Sequence, residues 1–428
     1  MRNFQATHNV IAVSAQNAEP AINTEATLDT ILLSSLSDVA NIEYDRFDNA
    51  DERHGREEPS IVYEGTLRAS MPLTFERAQA QHYALLLSYG LGNITTQELT
   101  NGGYEHVITP IEGEWDDYRG LPSMTVKTRH GKTVVQRKFF SMFVESVTAS
   151  FARDDFSKLS AQINGTGKNE TAMTQVYADS DTTTLTVTDK VHANDIESIH
   201  ELMVSVDMVW HPVTITAVES DGGSGSNITI ELLDSQTAGA EYTYRILYRK
   251  DEATMPSTPM FETPLFVSDV RLNIGGKWEN NQINGGRWLD AEMKSVEYSL
   301  TNNLSLVTGF SGTNERYANR VFREGRTQTI KFDREFRDYI IQHYLDTNQT
   351  FSLYLKAEGD LFNDNTRFGV SMLFPRLSVL SAPLSIDGKK NAEQGDMVAL
   401  DDGDIGSCRI SVVNNIPKYA SSVSMAGS

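Results

Sequence analysis

The 428-residue sequence predicts a mainly β fold with some helix. It reads as two similar β-sandwich or open-barrel domains, each with one flanking helix, and a small β-module between them. Three observations lead there. Segments that alternate apolar and polar residues, bounded by Gly, Pro, Asn or Asp, fill most of the chain. Two stretches, "SMPLTFERAQAQHYALLL" (70–87) and "TIKFDREFRDYIIQHYLD" (329–346), run from a strand into a helical period and repeat Phe, His and Tyr at one spacing. Between them, residues 171–250 break into short β-rich runs around the turn "SDGGSGSN" (220–227).

In chain order, residues 1–26 are polar with little period and read as an extended N-terminal arm. The first β domain covers 27–170. It opens with "TLDTILLSSLSDV" (27–39), a strand or short helix, and a long charged loop at 43–60. A strand follows at 61–74, then a helix at 75–92, where Phe75, Ala78, His82, Leu85, Leu86 and Tyr89 fall at helical spacing before Gly90 and Gly92. Residues 143–163 read as an antiparallel hairpin. Val147, Ala149 and Phe151 share one face, as do Leu159, Ala161 and Ile163 on the return strand, leaving the other face polar. The small module covers 171–252. Three prolines in "ATMPSTPMFETP" (253–264) mark a break. The second β domain covers 253–415, with alternating strands at Val270, Leu272, Ile274 and at Val296, Tyr298, Leu300, a loop at 307–325, and the second strand–helix stretch. Residues 416–428 are Ser-rich and read as a flexible tail.

The two β domains carry a colinear repeat. Glu52-Arg53-His54 with Arg56 matches Glu315-Arg316-Tyr317 with Arg320, and Glu64-Gly65 matches Glu324-Gly325. Phe75 before His82-Tyr83 matches Phe336 before His343-Tyr344, and all these pairs lie 260 to 264 residues apart. An internal duplication accounts for this. A histidine seven residues beyond a Phe in both copies reads as a packed helix core, Phe75 with His82 and Phe336 with His343, rather than as a catalyst.

Composition narrows the function. Thirty-seven Lys and Arg against 58 Asp and Glu give a net charge of −21, which opposes wrapping nucleic acid or sitting on an anionic membrane. The lone Cys408 rules out an intrachain disulfide framework. "MRNFQATHNV" lacks the apolar core of a signal peptide, and no run of about 18 apolar residues suggests a membrane span.

Catalytic patterns fail on inspection. "NGTGKNE" (164–170) has Gln162 and Asn169 where a phosphate loop needs Gly and Ser or Thr. His192, Asp195, Glu197, His200 and Glu201 are dense but lack metal-protease spacing, since Val204 stands where the second His would be. "DDGDIG" (401–406) reads as an acidic turn. Cys408 in "SCRISVV" reads as a buried small residue. The reading is of a non-enzyme with no cofactor and no metal. Trp278 in "GGKWE" and Trp288 in "GGRWL" flank a glycine-rich hairpin tip, either exposed for a protein or sugar contact or covering the core below.

The helix between strands, the long loop before it, and "SVEYSLTNNLSLV" after an N-I-G-G-x-W hairpin resemble tail tube (major tail) proteins of long-tailed, siphovirus-like bacteriophages. "VTASFARDDFSKLSAQINGTGK" has the same look. The resemblance spans most of 27–165 and 262–414 and is one of texture and order. It implies a virion protein made in the host bacterial cytoplasm and assembled into stacked rings. It implies an acidic lumen conducting double-stranded DNA without specific binding, and tape-measure and tail-tip or terminator proteins as partners. Two domains per chain then make a homotrimer a pseudo-six-fold ring; a homohexamer is the alternative. On this reading Glu145, Ser146 and Thr148 face the lumen. The inter-subunit or inter-ring loops carry Glu52, Arg53, Arg56, Glu315, Arg316 and Arg320. A virion-surface carbohydrate-binding adhesin using Trp278 and Trp288 is the competing expectation.

Overall fold

A computed structural model describes residues 6–52, 57–100, 102–111, 120–131, 135–237, 239–251, 255–256, 261–266, 270–279, 282–289, 292–310, 315–363 and 366–421. The fold is mainly β, with two α-helices among the described residues. No described helix is long and apolar enough to cross a membrane. The chain forms two compact units: Met1–Ala12, Val126–Phe139 and Asn169–Ser257 make the smaller, and Val13–Thr125, Phe140–Lys168 and Thr258–Ser428 the larger.

The smaller unit contains the stretch read as a β-module. Strands Met173–Ser180, Tyr242–Arg249, Ile199–Val206 and Val209–Pro212 form one antiparallel sheet. Thr184–Val187, Ser226–Ile230 and Ile215–Ser220 form a second. Val204, Ile228, Tyr244 and Ile246 are fully buried in their shared core. The acid- and histidine-rich run at 192–201 is tied up locally. His192 Nδ1 lies 3.1 Å from Asp251, and Glu201 accepts from Arg245 at 3.0 Å. No group of three His, Cys, Asp or Glu converges as a metal site among the described residues.

The larger unit holds both halves of the repeat. The strands that build it are labelled β1 to β14 in chain order. The first half contributes β1 (Asn41–Asp48), β2 (Val62–Phe75), α1 (Ala80–Leu91), β3 (Gly92–Glu98), β4 (Tyr104–Pro110), β5 (Val135–Ala152) and β6 (Lys158–Gly165). Of β5, only 140–152 belong to this unit. The second half contributes β7 (Val270–Ile274), β8 (Met293–Thr301), β9 (Thr327–Glu335), α2 (Ile340–Thr347), β10 (Phe351–Leu361), β11 (Arg367–Ser381), β12 (Leu384–Asp387), β13 (Lys390–Ala399) and β14 (Arg409–Asn414). In each half a long strand enters a helix, and the helix is followed by a hairpin.

The sequence divides these halves into domains at 27–170 and 253–415, but one sheet runs through both. β1 pairs with β2, β2 with β6, β6 with β5, β5 with β8, β8 with β9 and β9 with β13, all antiparallel. The far flank of β13 is covered by the end of β11 and by β12. The join is the β5–β8 ladder, from Ser295 opposite Ala152 to Thr301 opposite Ser146. A second sheet orders β3, β4, β14, β11, β10 and β7. β11 belongs to both sheets and turns the corner between them.

The core lies between the sheets because strand alternation puts apolar side chains there. Val147, Leu300 and Ile330 from one sheet and Met372 and Ile410 from the other are fully buried. Tyr298 and Phe374 meet across the gap with ring centroids 5.1 Å apart. All twelve residues of α1 are buried. Gly90 lets α1 approach the sheet: a Cβ there would stand 3.0 Å from Leu300 Cδ2. Asn302 Nδ2 donates to the Gly90 and Val144 carbonyls at 2.9 and 3.0 Å, tying α1 to β5.

α1 starts at Ala80, not at Phe75 as the apolar period implies. Backbone pairing of β2 with β6 continues to Phe75 opposite Leu159 and overrides the helical spacing. The expected N-terminal arm is tied down from residue 13 onward. Buried Glu19 accepts from Ser123, Thr125 and Ser141 at 2.6–3.0 Å. Residues 43–48, the start of the stretch read as a charged loop, belong to the strand β1.

Candidate functional site: an open sheet face and two free edges

The β1–β13 sheet buries one face and leaves the other open. Alternation assigns to the open face Ser70 and Thr74 of β2, Ser160 and Gln162 of β6, and Ser146, Thr148 and Ser150 of β5. Ser295, Ser299 and Thr301 of β8 and Thr327 and Thr329 of β9 continue it. Register aligns these hydroxyls into rows. Thr74, Ser160, Thr148, Ser299 and Thr329 stand opposite one another across five strands. Thr148 and Ser299 hydroxyls are 3.3 Å apart. Charges on this face come in both signs: Arg46, Arg68, Lys158 and Lys331 against Glu43, Asp48, Glu64, Glu297, Asp333, Glu335 and Asp396.

Ser146 and Thr148 therefore sit on the open face, half-buried. Glu145 does not. It is the extra residue of a bulge, where the β5–β6 register skips from Val144 to Ser146. Its carboxylate turns back and accepts the Leu304 backbone N–H at 3.1 Å. Burial pushes the Glu145 carboxyl above the usual carboxylate range, with the Leu304 bond working against it. The open face is thus hydroxyl-rich, with carboxylates outnumbering cations.

The two ends of this sheet are unlike each other. Among the described residues β1 pairs only with β2, and β12 only with β13. Both edges carry exposed apolar side chains. On β1, Phe47 is 60% exposed and Tyr44 is exposed beside it. On β12, Leu384 is 54% and Ile386 78% exposed. Free strand edges with apolar decoration are templates for pairing with another chain. Tyr44 and Phe47 escaped the sequence reading because β1, exposed on both faces, lacks an amphipathic period.

The loop residues expected at subunit contacts divide. Arg53 and Arg56 lie outside the described residues. Glu52 is exposed and accepts the Tyr63 hydroxyl at 2.9 Å. Arg316 is held within the chain by Glu64 at 2.6 Å, and its carbonyl accepts the Leu67 N–H at 2.9 Å. Glu315 and Arg320 are exposed, and Arg320 begins the short strand Arg320–Arg323.

The two histidines part company. His82 is buried, its ring stacked on Phe75 at a centroid distance of 4.0 Å, and Nδ1 accepts the Gln79 N–H at 3.2 Å. Burial pushes its imidazole down to about 3. His343 is exposed and Phe336 is half-buried outside α2, so the expected second helix core is corrected. Ile341 is the buried residue of α2. The charges around α2 serve structure. Fully buried Arg334 donates to Glu393 at 2.5 Å and meets Glu292 and Asp338, each at 3.3 Å. Burial pushes the Asp338 carboxyl up, but the Ile340 N–H, Arg334 and Arg287 outweigh it and leave it below its usual value.

Trp288 is exposed with the Arg271 guanidinium 4.1 Å above its ring. Trp278 is half-buried, 5.7 Å from the Tyr354 ring. Cys408 is buried, and burial pushes its thiol to about 12, which keeps it protonated at neutral pH. No family model matches the chain, and no curated protein is similar to it.

Proposed function

We propose that this chain is a structural protein that assembles edge to edge into rings, and that the rings stack into a hollow tube of the phage tail-tube kind. One observation carries the reading: a single antiparallel sheet spans both halves of the repeat, open and hydroxyl-rich on one face and ending in two unlike, apolar-decorated edges. Joining β1 of one copy to the β12 flank of the next hides both edges. Closure around a ring turns the sheets into one barrel with the open face inside.

Eight strand positions per chain give a trimer about 24 strands. Barrels of ~16–18 strands already enclose an aqueous channel, so such a ring leaves a wide lumen. A homohexamer is the other count. The lumen works by offering DNA nothing to hold. Rows of Ser and Thr stay hydrated, and the excess of carboxylates on the face together with the chain's net −21 repels phosphate. The reading places the protein in a virion tail.

Negative-stain microscopy of the purified full chain at rising concentration tests it. The expected images are closed rings and stacked hollow tubes. The double variant Phe47→Asp with Ile386→Asp, both on exposed positions, keeps the wild-type circular dichroism spectrum and stays monomeric. Monomers alone from the wild-type chain at every concentration would sink the reading.

A further inference from the structure

The outer face of the second sheet carries a groove of about 260 Å³. Its shape follows from the register. Glu358, Gly369, Val413 and Glu105 stand in one row across β10, β11, β14 and β4. Lys356, Ser371 and Ser411 make the next row, and Tyr354, Leu373 and Arg409 the third. Small residues occupy the middle of the first two rows, so larger ones at the margins stand as walls. The floor is confined further at Gly369, where a side chain would crowd the Ala357 carbonyl oxygen at 3.1 Å. The Trp278 hairpin closes one side, its ring between Tyr354 and the Arg409 guanidinium, which lies 5.8 Å from the ring centre.

The polar groups of the groove are unequally committed. Lys356 is paired with Glu358 at 2.7 Å. Glu105 accepts the Ser411 hydroxyl at 2.6 Å, and Arg367 donates to the Gly359 carbonyl at 3.1 Å. Arg409 has no ion-pair partner among the described residues, although the chain as a whole is strongly acidic. A small ligand thus meets an aromatic wall, a hydroxyl floor flanked by carboxylates, and the Arg409 guanidinium, which rests against Trp278 but has no ion-pair partner among the described residues. The volume lies just below the ~300–1,000 Å³ of drug-sized pockets, which suits one ring-sized unit of a longer ligand.

We propose that this groove binds a hexuronate residue of an acidic polysaccharide. The C–H face of the pyranose packs against the groove wall that the half-buried Trp278 forms. Arg409 takes the carboxylate through its planar fork of donors, and Glu105, Ser371 and Ser411 meet the ring hydroxyls. The site is on the sheet opposite the hydroxyl-rich face, and it is independent of whether the chain forms rings.

The test is an array of glucuronate, galacturonate and mannuronate oligosaccharides beside their carboxyl-reduced counterparts, probed with the full chain, followed by calorimetry on the best binder. The wild-type chain is expected to prefer a uronate over its neutral counterpart. Arg409→Ala should lose about tenfold or more in affinity, the worth of a charge-assisted hydrogen-bond pair, and should lose the preference for the acid form. Ser371→Tyr, which fills the floor and removes no wall, should abolish binding while leaving the circular dichroism spectrum unchanged. No preference for any uronate, or wild-type affinity in both variants, would overturn the proposal.

Discussion

At the scale of single residues, two buried titratable groups beside α1 pull stability in opposite directions with pH. His82 is held neutral with its pKa near 3, against an ordinary value near 6.5. As pH falls below about 6.5 the unfolded chain takes up a proton that the folded chain refuses, so stability is lost on acidification. Glu262 accepts the Gln81 N–H at 2.8 Å, and burial raises its carboxyl to about 7 from 4.5. Between those values the folded chain keeps a proton that the unfolded one has released, so stability is lost as pH rises. Glu262→Gln, which keeps the acceptor, should raise stability at pH 8 by about 1–3 kcal/mol and leave it unchanged at pH 4.5. Thermal melts at the two pH values check this. His82→Gln should flatten the fall in melting temperature between pH 6 and pH 4, whatever its effect on the absolute value. His82 and His343 have the same local signature in the sequence, yet only one is buried. What decides is chain brought over the helix from elsewhere: Tyr89 of α1 donates to Ser14, and Leu265 N–H donates to Ala78. No residue within 70–87 or 329–346 encodes that cover.

At the scale of elements, most strands were legible because half-buried strands alternate. The hairpin of β5 and β6 has Val147, Ala149, Phe151, Leu159, Ala161 and Ile163 buried on the face that the pattern gives. The misses have physical causes. β1 looks like a loop because neither of its faces is buried, and Glu145 looks in line because a bulge has no signature in residue type. The buried charges near α2 were also opaque, since Arg334 finds Glu292 and Glu393 by tertiary approach. Arg334→Met alone should cost about 3–5 kcal/mol by stranding Glu393. Adding Glu393→Leu should recover much of that loss, because an apolar pair of similar volume needs no counter-ion. Urea unfolding of the two variants distinguishes a net contribution of the pair from the penalty of breaking it.

At the scale of the whole molecule, the repeat was visible as residues but the union of its halves was not. Backbone hydrogen bonds between β5 and β8 make one sheet of two copies, and a backbone ladder is silent about which side chains it carries. That continuous face sets a prediction about DNA. Thr148, Ser160 and Ser299 are neighbours in one row. Replacing all three with Lys should make the chain retard duplex DNA in a gel, with an affinity that falls steeply with salt, while the wild-type chain leaves DNA unshifted. The two edges have a consequence for mass action. Because β1 and β12 differ, an edge-to-edge dimer about a two-fold axis matches like with like and leaves the complementary pairing unmade. A linear run of any length still ends in one bare edge of each kind, and only the closed ring ends in none. The last joint is made within one particle, so it forms at an effective concentration far above that of free subunits. Solutions of this chain should therefore divide between monomers and complete rings, with open intermediates scarce at every dilution.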